Sequence, residues 1–299
     1  MKMLKAVKER YFAVPGGNVW LMAINPEKQK PALWVLHGGP GVPHDYLEPL
    51  AELADERPVV FYDQLGCGNS EKPDDSNLWV LDRFVEELHS LLTQTNTTRF
   101  HLLGQSWGSM LAIEYMLRKK PAGVVSLVFS GAVASTSRFV QDQKWYLLQM
   151  PENDRRAIEE SERKQQYDEA YQKALMNYYN RYVCRMDPWP VCLLRSMNKT
   201  GVPYQTMWGP SEFTQTGNLS DFERVDRLCE IDRPVLFTCG RYDESTPETN
   251  EYYKKHLPGS RVVVFEGASH EHHLEKQTQY LEIVRAYLRE NDPDESFCS

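Results

Sequence analysis

Residues 100 to 108 read Phe100-His101-Leu102-Leu103-Gly104-Gln105-Ser106-Trp107-Gly108. A short apolar run ends in G-x-S-x-G, and the residues that follow, 110 to 118, have helical character. The first half predicts a buried strand and the second a helix, so Ser106 falls on the turn between them. Glycine on either side of the serine permits the tight, strained elbow that lifts a hydroxyl above the end of a sheet. The helix start beneath it offers unpaired N–H groups and partial positive charge. The same letters also fit an ordinary strand-to-helix turn, so the partners elsewhere in the chain decide.

Working outward, the strand–helix rhythm repeats. Toward the N-terminus, Ala32-Leu33-Trp34-Val35-Leu36 is a continuous apolar run ending at His37-Gly38-Gly39-Pro40-Gly41, and residues 44 to 55 read as a helix. Val59-Val60-Phe61-Tyr62 is a second buried strand, ending at Asp63-Gln64-Leu65-Gly66-Cys67-Gly68; residues 80 to 94 carry apolar side chains at helical spacing. Before them, residues 12 to 20 predict a hairpin turning at Gly16-Gly17. Toward the C-terminus come strands at 124–129, 234–239 and 261–265, with helices at 248–256 and about 275–290. Continuous apolar strands alternating with helices predict a mostly parallel sheet covered on both faces.

The rhythm breaks between 136 and 225, a stretch rich in charge and aromatic residues without a convincing buried strand. It is expected to be a helical cap inserted before the acid-bearing strand. The expected organisation is a core of residues 1–135 and 226–299 with a cap of residues 136–225. The acidic tail, 291 to 299, is expected to fray.

A serine hydroxyl needs a base to take its proton. On an elbow of this kind the partners follow in the order Ser, Asp or Glu, His. Among eight histidines, His270 follows the last strand, 261–265. His272 and His273 compete but are expected to face elsewhere. His101, inside a strand, reads as a core histidine, and His256 as a surface one. Asp243 ends the preceding strand and is the expected orienting carboxylate, with Glu244 the near alternative; Asp226 and Asp232 lie at the wrong edge. The oxyanion donors are expected from the backbone N–H of Trp107 and from the His37–Gly41 loop, with Gly39 preferred and Gly38 the fallback. His37 itself reads as structural.

Composition bounds the rest. The chain has 299 residues, 41% hydrophobic and 25% charged, with net charge -8. This is ordinary for a globular protein and gives no basic footprint for nucleic acid. No apolar run reaches the roughly 18 residues that span a bilayer. Residues 1 to 10 carry four Lys or Arg without an apolar stretch behind them, so no secretion signal is read and a cytoplasmic setting is expected. Six cysteines, at 67, 184, 192, 229, 239 and 298, lack metal or redox spacing and read as free thiols. No metal or cofactor is expected.

Five segments taken together resemble the prolyl aminopeptidases (proline iminopeptidases) of the α/β-hydrolase fold. They are His37-Gly38-Gly39-Pro40-Gly41, Asp63-Gln64-Leu65-Gly66-Cys67-Gly68-Asn69-Ser70, Gly104-Gln105-Ser106-Trp107-Gly108-Ser109, Gly240-Arg241-Tyr242-Asp243 and Ser269-His270. Leu65 departs from the Arg usual there. Met207-Trp208-Gly209-Pro210-Ser211-Glu212-Phe213 resembles a cap segment of the branch containing the tricorn-interacting aminopeptidase and related amino-acid amidases. The resemblance implies that Glu212 and Glu244 receive the substrate's free α-amino group. It implies a serine aminopeptidase that releases proline or another apolar N-terminal residue from a small peptide or amide through an acyl-enzyme. Trp107 is the expected direct contact to the substrate. The alternatives are an esterase or lactonase with the same triad, and a non-enzymatic receptor on the same fold.

Overall fold

The computed structural model describes residues 6–293; Cys298 and most of the acidic tail lie outside them. An eight-stranded sheet organises the chain, in the order β1-β2-β4-β3-β5-β6-β7-β8. Its strands are β1 (Val7–Val14), β2 (Gly17–Ile24), β3 (Ala32–Leu36), β4 (Val59–Tyr62), β5 (Phe100–Gln105), β6 (Val124–Ser130), β7 (Val235–Gly240) and β8 (Arg261–Phe265). The hairpin β1–β2 and the β2–β4 pair are antiparallel, and every other pair is parallel. This is an α/β-hydrolase fold.

Period-two alternation sends neighbouring residues of one strand into different layers. From β3, Trp34 and Leu36 enter the layer formed with α1 (Leu81–Gln94) and α2 (Trp107–Lys119), where Phe84, Leu88 and Leu111 pack. Leu33 and Val35 enter the opposite layer, against Leu47, Leu50 and Leu53 and against Val284 and Leu288 of α10 (Gln277–Asn291). Both faces are buried, which is why these strands read as unbroken apolar runs.

The expected helix at 44–55 is a 3₁₀ helix, His44–Asp55. Pro49 inside it lacks the N–H that an α-helical turn would use.

The chain passes from β3 to β4 on one side and from β4 across to β5 on the other, so β3 marks the switch in winding direction. Parallel pairing aligns the strand ends: Leu36 pairs with Gly104, Gln105 with Ser130, Ser130 with Thr238, and Gly240 with Phe265. Loops leaving these ends converge where open parallel sheets bind ligands.

Between β6 and β7 come α3 (Thr136–Leu147), α4 (Glu152–Lys164), α5 (Glu169–Tyr182), α6 (Val191–Asn198) and α7 (Pro203–Met207). The hydroxyl of Ser135 caps α3 by accepting from the Arg138 N–H, and the carboxylate of Asp168 caps α5 through the Tyr171 N–H. Tyr146, Ile158, Tyr171, Tyr178 and Tyr182 form a small core of their own. The segment is stitched to the sheet's loops at several points. The Gly201 N–H donates to Gly41 O (2.9 Å), the Ser196 hydroxyl to Pro43 O (2.5 Å), and the Gln143 amide to Glu244 O (2.9 Å). After β7 the chain adds α8 (Pro247–His256), then β8, a single turn α9 (His272–Glu275), and α10. No helix is long and apolar enough to cross a membrane among the described residues.

Candidate active site

Ser106 sits between β5 and α2 with φ 52° and ψ -120°, a conformation a non-glycine residue rarely adopts. The flanking glycines make it possible. A Cβ on Gly104 would stand 2.3 Å from the Gly108 carbonyl oxygen, and one on Gly108 would stand 2.2 Å from that of Leu36. The strained elbow is held by surrounding backbone: the Ser106 N–H donates to Ser130 O (2.9 Å) and the Ser109 N–H to Ser106 O (2.8 Å).

His270, on the loop after β8, places Nδ1 2.7 Å from Asp243 Oδ1. Asp243, after β7, is fully buried and accepts two backbone N–H bonds, Ser245 to Oδ1 (2.9 Å) and Gly240 to Oδ2 (3.2 Å). Burial alone would raise its pKa, but His270 and His272 outweigh that and hold it well below the ordinary carboxylate range. For His270 burial lowers the pKa, while the charges of Asp243, Glu244 and Glu271 raise it to about 10. The imidazole fits only because residue 131, at the end of β6, is glycine. A Cβ there would lie 2.6 Å from His270 Cε1, on a backbone with φ +56°.

Ser106 and His270 line one cavity of about 230 Å³, small beside the roughly 300–1,000 Å³ of drug-sized ligand pockets. Gly39, Glu212, Glu244 and Glu271 line it as well. No protein acceptor takes the N–H of Gly39 or of Trp107 among the described residues, whereas the Gly38 N–H donates to the Tyr46 hydroxyl (2.8 Å). Tyr46 in turn donates to Gln105 Oε1 (2.5 Å), tying the glycine loop to the residue before the serine.

Glu244 is buried, and its Oε1 has no hydrogen-bond partner. Glu212 is half-buried and accepts from the Tyr204 hydroxyl. Burial raises both carboxyls, and the charge of Glu212 pushes Glu244 further in the same direction. With Glu271, three carboxyls line the one cavity and only His270 balances them, which makes a site short of positive charge.

Trp107 is a correction. Its indole is 1% exposed, packs edge-on against Phe84, donates from Nε1 to Gln64 Oε1 (2.7 Å), and is absent from the cavity wall. As the first residue of α2 it turns back under the helix into the core, so only its backbone N–H remains at the site. His37 is held by hydrogen bonds: Nε2 accepts the Gln64 N–H (2.9 Å) and Nδ1 faces Gly38 O (3.0 Å). Burial lowers its pKa to about 4, so the ring is neutral. His101 is buried in β5 between Ser126 and Asp292. His256 is half-buried beside the Tyr252 ring rather than fully at the surface. His272 is not turned away from the acid, because its Nδ1 lies 3.4 Å from Asp243 Oδ2. Gly131, Tyr46, His272 and Glu271 were not singled out as site residues from the sequence. His272 enters there only as a competing base, and Glu271 leaves one signal, a carboxylate directly after the expected base.

Among the described residues one group, His44, Asp45 and Glu48, brings possible metal-ligand atoms together. Its members are engaged otherwise: Asp45 with Arg195 (2.5 Å) and Lys199 (2.9 Å), Glu48 with Arg195, and His44 with Asp63 (2.7 Å). It reads as an ion-pair network.

Residues 31–277 match the α/β hydrolase fold family. The proline iminopeptidase of Heyndrickxia coagulans is 40% identical over 283 residues, 94% of this chain and 98% of that protein. The chain belongs to the proline iminopeptidase family. The crystal structure of the proline iminopeptidase of Mycobacterium smegmatis superposes with a TM-score of 0.88 at 35% identity, covering 95% of this chain and 98% of that one. That of VinJ superposes with a TM-score of 0.90 at 32% identity, covering 95% and 99%. Ser106, Asp243, Glu244 and His270 all stand on segments that leave the carboxyl ends of the strands, where the sheet opens its crevice.

Proposed function

We propose that this chain is a serine aminopeptidase releasing proline or another apolar N-terminal residue from a small peptide or amino-acid amide. The observation that carries the reading is Glu212 and Glu244 in the same cavity as Ser106 and His270. A buried and a half-buried carboxyl short of positive charge suit an α-ammonium group, whose N–H donors would meet the unpartnered Glu244 Oε1. An ammonium placed there sets the first peptide bond, and no later one, within reach of the serine.

In this reading the Ser106 hydroxyl attacks the carbonyl carbon as His270 Nε2 takes its proton. Asp243 orients the imidazole through Nδ1 and stabilises the imidazolium. The Gly39 and Trp107 N–H groups receive the oxyanion. The tetrahedral species then collapses: the C–N bond breaks and His270 hands its proton to the departing amine. Water attacks the acyl-enzyme with its proton passing to His270. The C–Oγ bond breaks, the free amino acid leaves, and the proton returns to Ser106. Residues 136–225 serve as the cap that carries Glu212, over a core of 1–135 and 226–299. A reducing, cytoplasmic setting suits the free thiols of Cys67, Cys184, Cys192, Cys229 and Cys239.

The test is a panel of aminoacyl-naphthylamides with free and acetylated N-termini, beside a p-nitrophenyl ester. Cleavage of free-amine substrates alone, lost in Ser106→Ala and weakened in Glu212→Gln and Glu244→Gln, is the expected result. Ester turnover indifferent to a free amine would move the activity to the esterase class.

A further inference from the structure

The cavity holds a third carboxyl that the ammonium does not need. Glu271 follows His270 directly, lines the same wall and is 5% exposed. Its Oε2 has no hydrogen-bond partner. His273 Nδ1 stands 3.6 Å from it, too far for a hydrogen bond. That nitrogen is bare as well. The other ring nitrogen, Nε2, lies 3.1 Å from Tyr46 O and must donate to it, which leaves Nδ1 without a hydrogen. Burial keeps the ring neutral by lowering its pKa to about 3. Glu271 Oε2 and His273 Nδ1 thus face each other, both buried, with no hydrogen bond between them.

Position gives the orphaned pair its meaning. Glu212 is held from α7 by Tyr204, on the cap side of the cavity. Glu271 has its N–H on Val183 O (2.8 Å) of the 136–225 segment, but its side chain approaches His273, whose ring packs edge-on against Tyr46. Tyr46 is the residue bonded to Gly38 and Gln105. Glu271 therefore belongs to the oxyanion-loop side of His270. With the substrate ammonium on Glu212 and Glu244, the group beyond the scissile bond extends away from them. Burial outweighs the neighbouring His270 charge and raises the Glu271 carboxyl to about 8, the response of a carboxyl taken out of water.

Resting on the aminopeptidase reading, we infer that Glu271 selects substrates whose second residue is basic: a dipeptide or longer peptide with lysine or arginine directly after the bond that is cut. The lysine ammonium or arginine guanidinium supplies N–H donors to the Glu271 carboxyl, and its charge restores an ionised Glu271.

The experiment measures kcat/KM on Pro-Lys, Pro-Arg, Pro-Leu and Pro-Glu amides, and on Lys-Leu amide, with the wild-type chain, Glu271→Gln and Glu271→Asp. The expected wild-type result is a preference of about tenfold or more for Pro-Lys and Pro-Arg over Pro-Leu, with Pro-Glu poorest, as one charge-assisted contact gives. Glu271→Gln brings the Lys-to-Leu ratio close to one, and Glu271→Asp keeps part of it. Equal rates on Pro-Lys and Pro-Leu in the wild type overturn the inference whatever the variants do. So does a basic preference that survives Glu271→Gln, or one seen only when lysine is the first residue. No cleavage of any of these amides would instead sink the aminopeptidase reading, which separates the two failures.

Discussion

His272 Nδ1 lies 3.4 Å from Asp243 Oδ2, on the oxygen that His270 does not use; His270 Nδ1 holds Oδ1 at 2.7 Å. The carboxylate is thus flanked by two imidazoles. The far nitrogen of His272, Nε2, is 3.0 Å from both the Ser130 and the Thr238 hydroxyls, at the ends of β6 and β7. Nδ1 also reaches Ser269 O (3.3 Å), so the ring ties two strand ends to the His270 loop beside the acid. His272→Phe keeps the ring stacked on Phe265 but removes both nitrogens. The expected result is a fall in kcat of about tenfold with little change in KM, and a loss of stability of about 1–3 kcal/mol from the hydroxyls that lose their partner. Steady-state kinetics with urea unfolding checks it; unchanged kcat would show that His270 alone orients Asp243.

Tyr46 is the second residue that acts through others. Its hydroxyl accepts from Gly38 and donates to Gln105, which joins the glycine loop to the elbow. The space is fully used, since a Cβ on Gly38 would meet Gln105 Oε1 at 2.5 Å and the Tyr46 oxygen at 2.9 Å. Tyr46→Phe leaves a buried N–H and a buried amide oxygen unpaired, each costing about 1–3 kcal/mol. The Gly39 N–H is carried by that loop, so the loss is expected chiefly in the transition state: kcat falls about tenfold while KM holds. A rise in KM at constant kcat would contradict the positioning role.

The pH profile follows from the carboxyls around His270. The proposed base must be neutral to take a proton, so activity climbs as pH rises through its pKa. Burial lowers that pKa, but Asp243, Glu244 and Glu271 outweigh it and raise it toward about 10. The ascending limb of kcat/KM on a proline naphthylamide is therefore expected well above the ordinary histidine value of about 6.5. Removing one negative charge makes the imidazolium easier to deprotonate, so Glu271→Gln moves the limb to lower pH. A limb at or below the ordinary value, or one displaced upward in the variant, contradicts this arrangement.

The expected site residues were legible because each is announced locally. Ser106 and Asp243 come at or just after the ends of buried apolar strands, His270 follows the last strand by a short loop, and glycines mark the elbow. What escaped depends on approach between distant parts of the chain. His272 meets Ser130 across 142 positions, and Gly131 matters only because the His270 ring comes down on it. Trp107 was misplaced because adjacency to Ser106 in sequence does not fix direction: the first residue of α2 turns toward Gln64 and Phe84, away from the cavity. The helices of the 136–225 segment were visible as a class but not one by one, since their apolar face is mostly tyrosine serving a small separate core.

The chain beyond α10 supplies the last prediction, and it corrects the expectation of a frayed tail from residue 291. Asp292 is pinned to the sheet. Arg57, 1% exposed, donates to both its oxygens (2.8 and 2.9 Å), while His101 Nε2 (3.1 Å) and Lys30 (3.1 Å) complete the shell. Burial would raise the Asp292 pKa, but the bonds to His101 and Arg57 outweigh it and hold the carboxyl well below its ordinary range. A depressed carboxyl contributes stability that is present in full above the unfolded value, about 3.9, and drains away as pH falls from there toward the folded value. Asp292→Asn leaves the Arg57 guanidinium buried without its anion, at an expected cost of about 3 kcal/mol at neutral pH. Acidification protonates the wild-type carboxyl, so the gap between the two proteins should narrow below about pH 4. Urea unfolding of both at neutral and acid pH measures it. A gap that stays constant as pH falls would mean that the contact works through packing, and that its charge contributes nothing.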